Sequence, residues 1–281
     1  MRIGYFNSKI APLEELSIPL TDRSVFFGDA VYDAVLVINR KPYTLDRHLD
    51  RLYNSCRMIN IEFNTSREFL KGEIEKLLSA SEDGSLLLYI QVTRGSAPRK
   101  HEFPENTAPN LLMFTSPITL TPKDKKASLM TVEDQRFFYC NIKTTNLLPN
   151  VLAAQNATEK GFTEVLMHRN KRVTEAAHSS ILITQNGTLI APPLDNLILP
   201  GITRAILIDL CKKNSIPVEI REFDLDEVWD ADEILLLSTT KLLLRVHSID
   251  GKAAGGKDEE FAQRLRKLLD DDVFRDIGET L

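Results

Sequence analysis

Two ionisable side chains stand alone in neutral or apolar segments of the sequence, and both residue types can carry covalent or acid–base chemistry. Lys143 lies in the segment NIKTTN, and Glu175 closes the strand-like segment RVTE. A lysine withdrawn from water is the kind of amine that forms Schiff bases with carbonyl groups. A carboxylate held at a strand end could pair with a cationic ring nitrogen. The local sequence leaves two alternatives open, because Lys143 could be one of 35 basic residues on the surface and Glu175 could be solvated.

A second group of residues could bind an anion. In the segment LPGITR, Gly201 permits close approach of the backbone, and Ile202 and Thr203 carry the first unpaired N–H groups of the helix that follows. Ser238 and Thr239 interrupt an apolar run and place hydroxyl groups at the end of a predicted buried strand. The same residues could equally cap a core helix and end a strand.

Arg99 and His101 lie two residues apart in a loop that contains glycine and proline. Residues at i and i+2 of an extended segment face the same side. A guanidinium group and an imidazole that converge in this way would suit a carboxylate. Solvated loop charges are the alternative.

Tyr32 and Arg51 are two more polar side chains within apolar patterns. Tyr32 follows the segment FFGDA, and Arg51 lies in the segment DRLY of a predicted helix. Their neighbours alone explain Tyr32 as a core tyrosine and Arg51 as a solvated residue that pairs with Asp46 or Asp50 on its own helix.

The elements that must position these residues are strands and helices in a mixed α+β arrangement, without strict βαβ alternation. Apolar residues at spacings of three or four predict helices over LDRHLDRLYNSCRMINI, REFLKGEIEKLLSA with Ser66 as N-cap, PNVLAAQNATEKG, ITRAILIDLCKKN and the C-terminus from Lys257. Strand patterns around Asn39–Arg40, Asn170 and Asn186–Gly187 predict three hairpins.

The segment SPITLTPKDKK is the best candidate for a linker, because it contains two prolines and a charge cluster without periodicity. We therefore predict a small N-terminal domain over residues 1–118, a linker over 119–125 and a larger C-terminal domain over 126–281.

Composition narrows the class of protein. The chain is 43% hydrophobic and 27% charged, which is ordinary for globular proteins, and its formal net charge of −5 disfavours a general nucleic-acid or membrane surface. The three cysteines, Cys56, Cys140 and Cys211, are far apart and suggest neither disulfides nor zinc, so we expect a cytoplasmic protein. The sequence contains no G-x-G-x-x-G, Walker A, G-x-S-x-G or H-E-x-x-H motif.

Taken in order along the chain, the polar segments resemble those of the fold-type IV pyridoxal-phosphate enzymes, most closely the bacterial D-amino-acid transaminases. The resemblance runs from about Gly4 to Lys257 and rests on the segments DRSVFFGDAVYDAV, HLDRLYNS, YIQVTRGSAPRKHEFPENT, DQRFFYCNIKTTNLLPNVLA, RNKRVTEAAHSS, LPGITR and LLSTT. It implies a small α/β domain and a larger β-barrel-like domain with helices, with pyridoxal 5′-phosphate between them.

The resemblance also implies a role for each candidate residue. Lys143 would carry the Schiff base to the cofactor, and Glu175 would keep the pyridine nitrogen protonated. The phosphate would be held by Arg51, Ile202, Thr203, Ser238 and Thr239. The substrate α-carboxylate would be held by Tyr32, Arg99 and His101, the last two supplied by the other subunit of a homodimer. The expected reaction moves an amino group between D-amino acids, such as D-alanine and D-glutamate, and 2-oxo acids by a ping-pong mechanism.

Several positions depart from the pattern of the D-transaminases, and one of these differences, Pro149–Asn150 after NLL, is expected to be structural. His178 and Lys241 stand where small or polar residues are typical, close to the expected cofactor. These departures bear on the preference for the substrate side chain. The alternatives are an L-branched-chain aminotransferase, an aminodeoxychorismate lyase, or a protein that binds pyridoxal phosphate without catalysis.

Overall fold

An antiparallel sheet organises the first part of the chain in the computed structural model, which describes residues 2–278. Its six strands are β1 (Ile3–Phe6), β2 (Lys9–Pro12), β3 (Ala30–Ile38), β4 (Lys41–Pro42), β5 (Ser85–Thr93) and β6 (Asn110–Pro117). They lie side by side in the order β2-β1-β6-β5-β3-β4. The helices are a 3₁₀ turn (Leu13–Glu15), α1 (Arg23–Phe27), α2 (Leu45–Met58) and α3 (Arg67–Ser79).

The sequence pattern explains why these segments pack together. Alternate residues of β5 are buried, as a strand with one covered face requires. On α2, Leu49, Leu52 and Cys56 form one buried face, and α3 buries the face that contains Leu70 and Ile74. These residues and the sheet form a single hydrophobic cluster. The Ser66 hydroxyl accepts a hydrogen bond from the N–H of Phe69 at 3.2 Å, so the predicted N-cap is confirmed.

A mixed sheet of nine strands organises the rest of the described chain. Its order is β12-β11-β10-β13-β14-β7-β8-β9, and β15 pairs with β14. The strands are β7 (Lys126–Glu133), β8 (Glu164–Arg169), β9 (Arg172–Val173), β10 (Ser180–Gln185), β11 (Thr188–Ala191), β12 (Val218–Ile220), β13 (Glu233–Ser238), β14 (Leu242–Ile249) and β15 (Lys252–Ala253). The helices are α4 (Leu148–Glu159), α5 (Ile202–Lys213), α6 (Leu225–Asp230) and α7 (Glu259–Ile277).

The three predicted hairpin turns are present. Asn39–Arg40, Asn170–Lys171 and Asn186–Gly187 all have positive φ angles, the backbone conformation of a two-residue turn between twisted strands. The five predicted helices are α2, α3, α4, α5 and α7, and the mixed α+β class is confirmed. Within residues 2–278, each helix is too short or too polar to cross a lipid bilayer.

The described chain forms two compact units. The first contains the residues up to Thr119 together with Ile142–Asn146, and the second contains Leu120–Asn141 and everything from Leu147. The segment Ile142–Asn146 lies inside the range that the sequence interpretation gave to the C-terminal domain. It joins the first unit because it pairs with β3: the N–H of Tyr32 donates to the carbonyl of Lys143 at 2.9 Å, and the N–H of Thr145 donates to the carbonyl of Ala30 at 3.1 Å.

Candidate active site

The backbone of Lys143 is held firmly in the first unit. Besides the bond to Tyr32, its own N–H donates to the Ser55 hydroxyl of α2 at 3.4 Å. The side chain is half-buried, and its Nζ lies 4.3 Å from the centroid of the Tyr32 ring. Lys143 is therefore not an ordinary surface lysine, because an aromatic face shields its amine on one side.

Tyr32 is half-buried and stacks on Tyr89, with ring centroids 5.4 Å apart and an angle of 19° between the rings. Tyr89 in turn stacks on Phe114 at 4.8 Å. This aromatic column fixes the ring under Lys143. In the part of the chain that the structure describes, Tyr32 makes no hydrogen bond and no ring contact with Arg99 or His101.

Arg51 does not pair with an aspartate on its own helix. Its Nε and one terminal nitrogen donate to the two carboxylate oxygens of Asp33 at 2.9 and 2.8 Å, while Asp46 and Asp50 pair with Lys71 and Arg67 of α3. The alternative from the local sequence is thus wrong, because a fully buried carboxylate on β3 attracts the guanidinium more strongly than solvated ones.

Asp33 also binds His48, and sequence reasoning missed both residues. The Nδ1 of His48 lies 2.7 Å from the carboxylate. Burial lowers the pKa of His48, so the ring is neutral near pH 7 and Nδ1–H donates. Burial alone would raise the pKa of Asp33, but the Arg51 charge and His48 hold it well below its usual range. The signal was available, since Asp33 is a lone charge in the apolar strand AVYDAVLVI.

Arg99 and His101 are exposed in the described chain, and both lie against Phe27 at the end of α1. The guanidinium carbon of Arg99 and the ring centroid of His101 are each 5.1 Å from the Phe27 ring centroid. The structure therefore brings these two predicted residues to one aromatic ring, and it brings Tyr32 to Lys143.

In the second unit, Glu175 is buried rather than solvated at a strand end. It binds Arg136, which also makes a two-pronged bond to Asp134 at 3.0 and 2.8 Å. The N–H of Leu199 donates to the second Glu175 oxygen at 3.2 Å. Burial raises the pKa of Glu175 although Arg136 and the Leu199 N–H oppose the rise. Arg136 and Asp134 were not singled out in the sequence, because only the fold brings them to Glu175.

The predicted anion-binding segments of the second unit meet at Ser180. Gly201 is the N-cap of α5 and provides no capping side chain, so no side chain of the N-cap occupies the N–H groups of Ile202 and Thr203. A Cβ on Gly201 would lie 2.6 Å from the Ser180 hydroxyl, so any other residue at this position would force that hydroxyl to move. Ser180 is paired with Leu237 of β13, next to Ser238. Ser180 was not predicted as a site residue.

His178 and Lys241 bind a common carboxylate. The Nζ of Lys241 lies 2.7 Å from the fully buried Glu164 carboxylate, 2.8 Å from Nε2 of His178 and 3.1 Å from the Ser179 hydroxyl. The N–H of Lys241 donates to the Ser238 hydroxyl at 3.3 Å. The charge of Lys241 is thus compensated by Glu164, and this group connects the turn after β13 to the segment before β10.

Comparison with known proteins identifies the family of this chain. The amino-transferase class IV family matches residues 30–249. A D-alanine aminotransferase from Bacillus licheniformis is 33% identical over 279 residues, which cover 98% of this chain and 99% of the relative.

Solved structures match over a similar range. A branched-chain aminotransferase from the thermophilic archaeon Thermoproteus uzoniensis, solved with norvaline, has a TM-score of 0.87 at 21% identity and covers 98% of this chain and 98% of its own. A 4-amino-4-deoxychorismate lyase from Pseudomonas aeruginosa has a TM-score of 0.84 at 26% identity and covers 96% of this chain and 98% of its own.

The chain belongs to the class IV aminotransferase family, with the fold-type IV architecture. It is a pyridoxal-phosphate-dependent aminotransferase.

The residues present suit this cofactor. The first unit holds an amine on an aromatic face at Lys143, and the second holds a buried carboxylate at Glu175. The start of α5 has no side-chain cap and is lined closely by Ser180, as an anion site at a helix N-terminus requires.

Proposed function

We propose that this enzyme moves the amino group between D-amino acids, such as D-alanine and D-glutamate, and 2-oxo acids. The observation that carries the proposal is the pair Arg99 and His101 on one aromatic ring, in a chain similar over 98% of its length to a D-alanine aminotransferase. Two cationic or donor groups at one point recognise a carboxylate. The position of the carboxylate decides which enantiomer reacts.

The proposal assigns roles toward the cofactor to Lys143 and Glu175. Bound pyridoxal phosphate supplies an electron sink for the substrate Cα. The Lys143 amine anchors it covalently, and Glu175 holds the proton of the ring nitrogen. Arg136 and the Leu199 N–H hold the buried Glu175 carboxylate in place, so a protonated ring nitrogen would meet a fixed hydrogen-bond acceptor.

The phosphate is assigned to Ile202, Thr203, Ser238, Thr239 and Arg51. Backbone N–H groups at the start of a helix attract an anion through both hydrogen bonds and the helix dipole. Arg51 donates two hydrogen bonds to Asp33, whose carboxylate is fully buried. In the proposal Arg51 supplies a positive charge for the phosphate, and Asp33 fixes the direction of its guanidinium.

Proton transfer is assigned to Lys143. The Lys143 amine would act as the acid–base group: it would take up the Cα proton of the substrate and would later donate that proton back. Only a hydrogen that faces Nζ can be removed. If Tyr32, Arg99 and His101 hold the carboxylate on one side, the hydrogen of a D-amino acid faces Lys143 and that of the L-enantiomer does not.

The test is a comparison of enantiomers. Purified enzyme with 2-oxoglutarate should convert D-alanine and D-glutamate to their 2-oxo acids, with parallel initial-rate lines when both substrate concentrations are varied. A preference for L-leucine or L-isoleucine over D-alanine would contradict the proposal and favour a branched-chain aminotransferase. A lyase would consume 4-amino-4-deoxychorismate without a 2-oxo acid acceptor.

The enzyme is proposed to act as a homodimer, with Arg99 and His101 serving the site of the other subunit. The exposure of both side chains supports this assignment. So do the aromatic side chains Phe138 and Tyr139, each 63% exposed, since adjacent exposed aromatic residues are typical of interfaces. Light scattering should give twice the mass of the 31.8 kDa chain. An active monomer would exclude this arrangement.

A further inference from the structure

A buried arginine holds the loop that carries Arg99 and His101. Arg23, in the first turn of α1, is 3% exposed. One of its terminal nitrogens donates to the carbonyls of Lys100 at 2.6 Å and Glu102 at 3.3 Å, and the other donates to the carbonyl of His101 at 3.4 Å. A single guanidinium thus binds three consecutive carbonyls of this loop.

The direction of this guanidinium is set from the opposite side. The Nε of Arg23 donates to Asp29 at 2.8 Å, and Asp29 also accepts from Arg94 at 2.8 Å. Burial alone would raise the pKa of Asp29, but the hydrogen bonds from Arg94 and Arg23 lower it, so the carboxylate stays charged. The planar fork of an arginine suits this two-sided contact, which an ammonium group cannot reproduce.

The backbone of the same loop is tied to the start of α1. The N–H of Arg23 donates to the carbonyl of Gly95 at 3.0 Å, and the N–H of Ala97 donates to the carbonyl of Thr21 at 3.0 Å. The loop is therefore fixed at two points, one at residues 95–97 and one at residues 100–102.

The side chains of Arg99 and His101 both contact Phe27, the last residue of α1. The guanidinium carbon of Arg23 lies 4.8 Å from the Phe27 ring centroid, and Arg99 and His101 contact this ring at 5.1 Å each. Arg23 fixes the carbonyls around His101, and Phe27 supplies the surface for both side chains. The short helix α1 therefore contacts both the backbone of this loop and the side chains of Arg99 and His101.

We propose that Arg23 is a positioning residue for the recognition of the substrate carboxylate. It does not touch the substrate; it holds the backbone of residues 100–102 so that Arg99 and His101 point to the same place. This inference rests on the proposed function, since it takes Arg99 and His101 as the carboxylate site. It predicts that a substitution of Arg23 weakens the binding of ligands that have a carboxylate and leaves ligands without one unaffected.

The test compares Arg23→Lys with the wild type and with Arg245→Lys. Arg245 forms a similarly buried pair with Glu233, at 2.8 Å, and serves as the control for lost stability. The measurements are the Kd of propionate by calorimetry, kcat and KM for D-alanine, and the single-turnover rate with ethylamine. Arg23→Lys should raise both the propionate Kd and the KM for D-alanine about tenfold, and should change kcat and the ethylamine rate less than about twofold.

Arg245→Lys should leave the propionate Kd at the wild-type value. An unchanged propionate Kd in Arg23→Lys, or an equal loss with ethylamine, would overturn the inference. If Arg23→Lys does not fold, Phe27→Leu decides, because it leaves the Asp29 pair in place and should weaken propionate about threefold with no effect on ethylamine.

Two results separate this inference from the proposed function. In the first, the wild type is inactive on D-alanine, but Arg99→Ala and Arg23→Lys both raise the propionate Kd. This result would refute the proposed D-amino-acid substrate and support the positioning role of Arg23. In the second, the wild type is active on D-alanine, and Arg99→Ala raises the propionate Kd whereas Arg23→Lys does not. This result would support the proposed function and refute the positioning role.

Discussion

Arg51 of α2 donates two hydrogen bonds to Asp33 of β3, and the carboxylate of Asp33 is fully buried. The same carboxylate accepts a hydrogen bond from His48, one helical turn before Arg51. This pair connects the helix to the strand whose edge holds Lys143. It gives the first unit a buried charge cluster, and one member of the cluster, Arg51, is proposed to hold the cofactor phosphate.

Replacing Asp33 by Asn should destabilise the protein strongly. The change removes the buried negative charge that binds Arg51 and His48, and breaking a buried ion pair typically costs about 3–5 kcal/mol. Urea unfolding followed by circular dichroism measures the loss. Glu14→Gln, which removes an exposed pair with Arg2, is the control and should leave the midpoint unchanged. A similarly small effect of Asp33→Asn would mean that water reaches the cluster.

Acid should weaken the fold through His48. Burial lowers the pKa of this imidazole in the folded protein, whereas an unfolded histidine titrates near pH 6.5. The unfolded chain therefore binds the proton first, so stability is complete above about pH 6.5 and declines as the pH falls below that value. His48→Gln should flatten the decline between about pH 6.5 and 5. His247→Gln, at an exposed position, should not. An unchanged slope in His48→Gln would assign the decline to other groups.

Lys143→Ala should abolish transamination, because the variant lacks both the covalent anchor and the base. Treatment with borohydride followed by peptide mass spectrometry should find the cofactor attached to the Lys143 peptide of the wild type alone. Some non-covalent binding of the cofactor should remain through the phosphate contacts. Lys171→Ala removes an exposed lysine that pairs with Asp226 and should keep full activity. Near wild-type turnover in Lys143→Ala would refute its assignment.

Glu175→Gln should lower turnover about tenfold or more. The amide retains the size of the side chain but cannot stabilise a protonated ring nitrogen, so the cofactor becomes a poorer electron sink. Steady-state kinetics with saturating D-alanine measure the effect. Glu222→Gln, which weakens a partly exposed pair with Arg172, is the control. Equal rates in wild type and Glu175→Gln would show that Glu175 has no role in turnover and serves only as a structural partner of Arg136.

Arg99→Ala should lower kcat/KM for D-alanine by about 30-fold to several thousand-fold. Removing one member of a desolvated charge pair costs about 2–5 kcal/mol, and each 1.4 kcal/mol is a factor of ten. Amines without a carboxylate, such as ethylamine, should lose far less. Lys100→Ala, at the exposed residue between Arg99 and His101, is the control. Equal losses for D-alanine and ethylamine would show that Arg99 supports the loop and does not bind the carboxylate.

Local patterns alone determined much of this protein. The helix over Leu45–Met58 follows from apolar residues at spacings of three and four, the turns at Asn39–Arg40 and Asn186–Gly187 from the residue types that tolerate positive φ, and the start of α3 from Ser66. These features depend on interactions within a few residues, so the local sequence is sufficient to predict them. The family was accessible for a related reason, because its motifs are short and contiguous.

The partners of the charged residues were decided by the tertiary structure. Arg51 binds Asp33, 18 positions away, in preference to the aspartates beside it, and Glu175 binds Arg136, 39 positions away. Periodicity cannot predict such pairs, since they depend on which strand covers which helix. Likewise, the segment Ile142–Asn146, which contains Lys143, joins the first unit although the chain before and after this segment belongs to the second. The reason is that this segment forms backbone hydrogen bonds with β3. Such bonds between distant segments form only once the sheet that supports them has folded, so the local sequence does not reveal them.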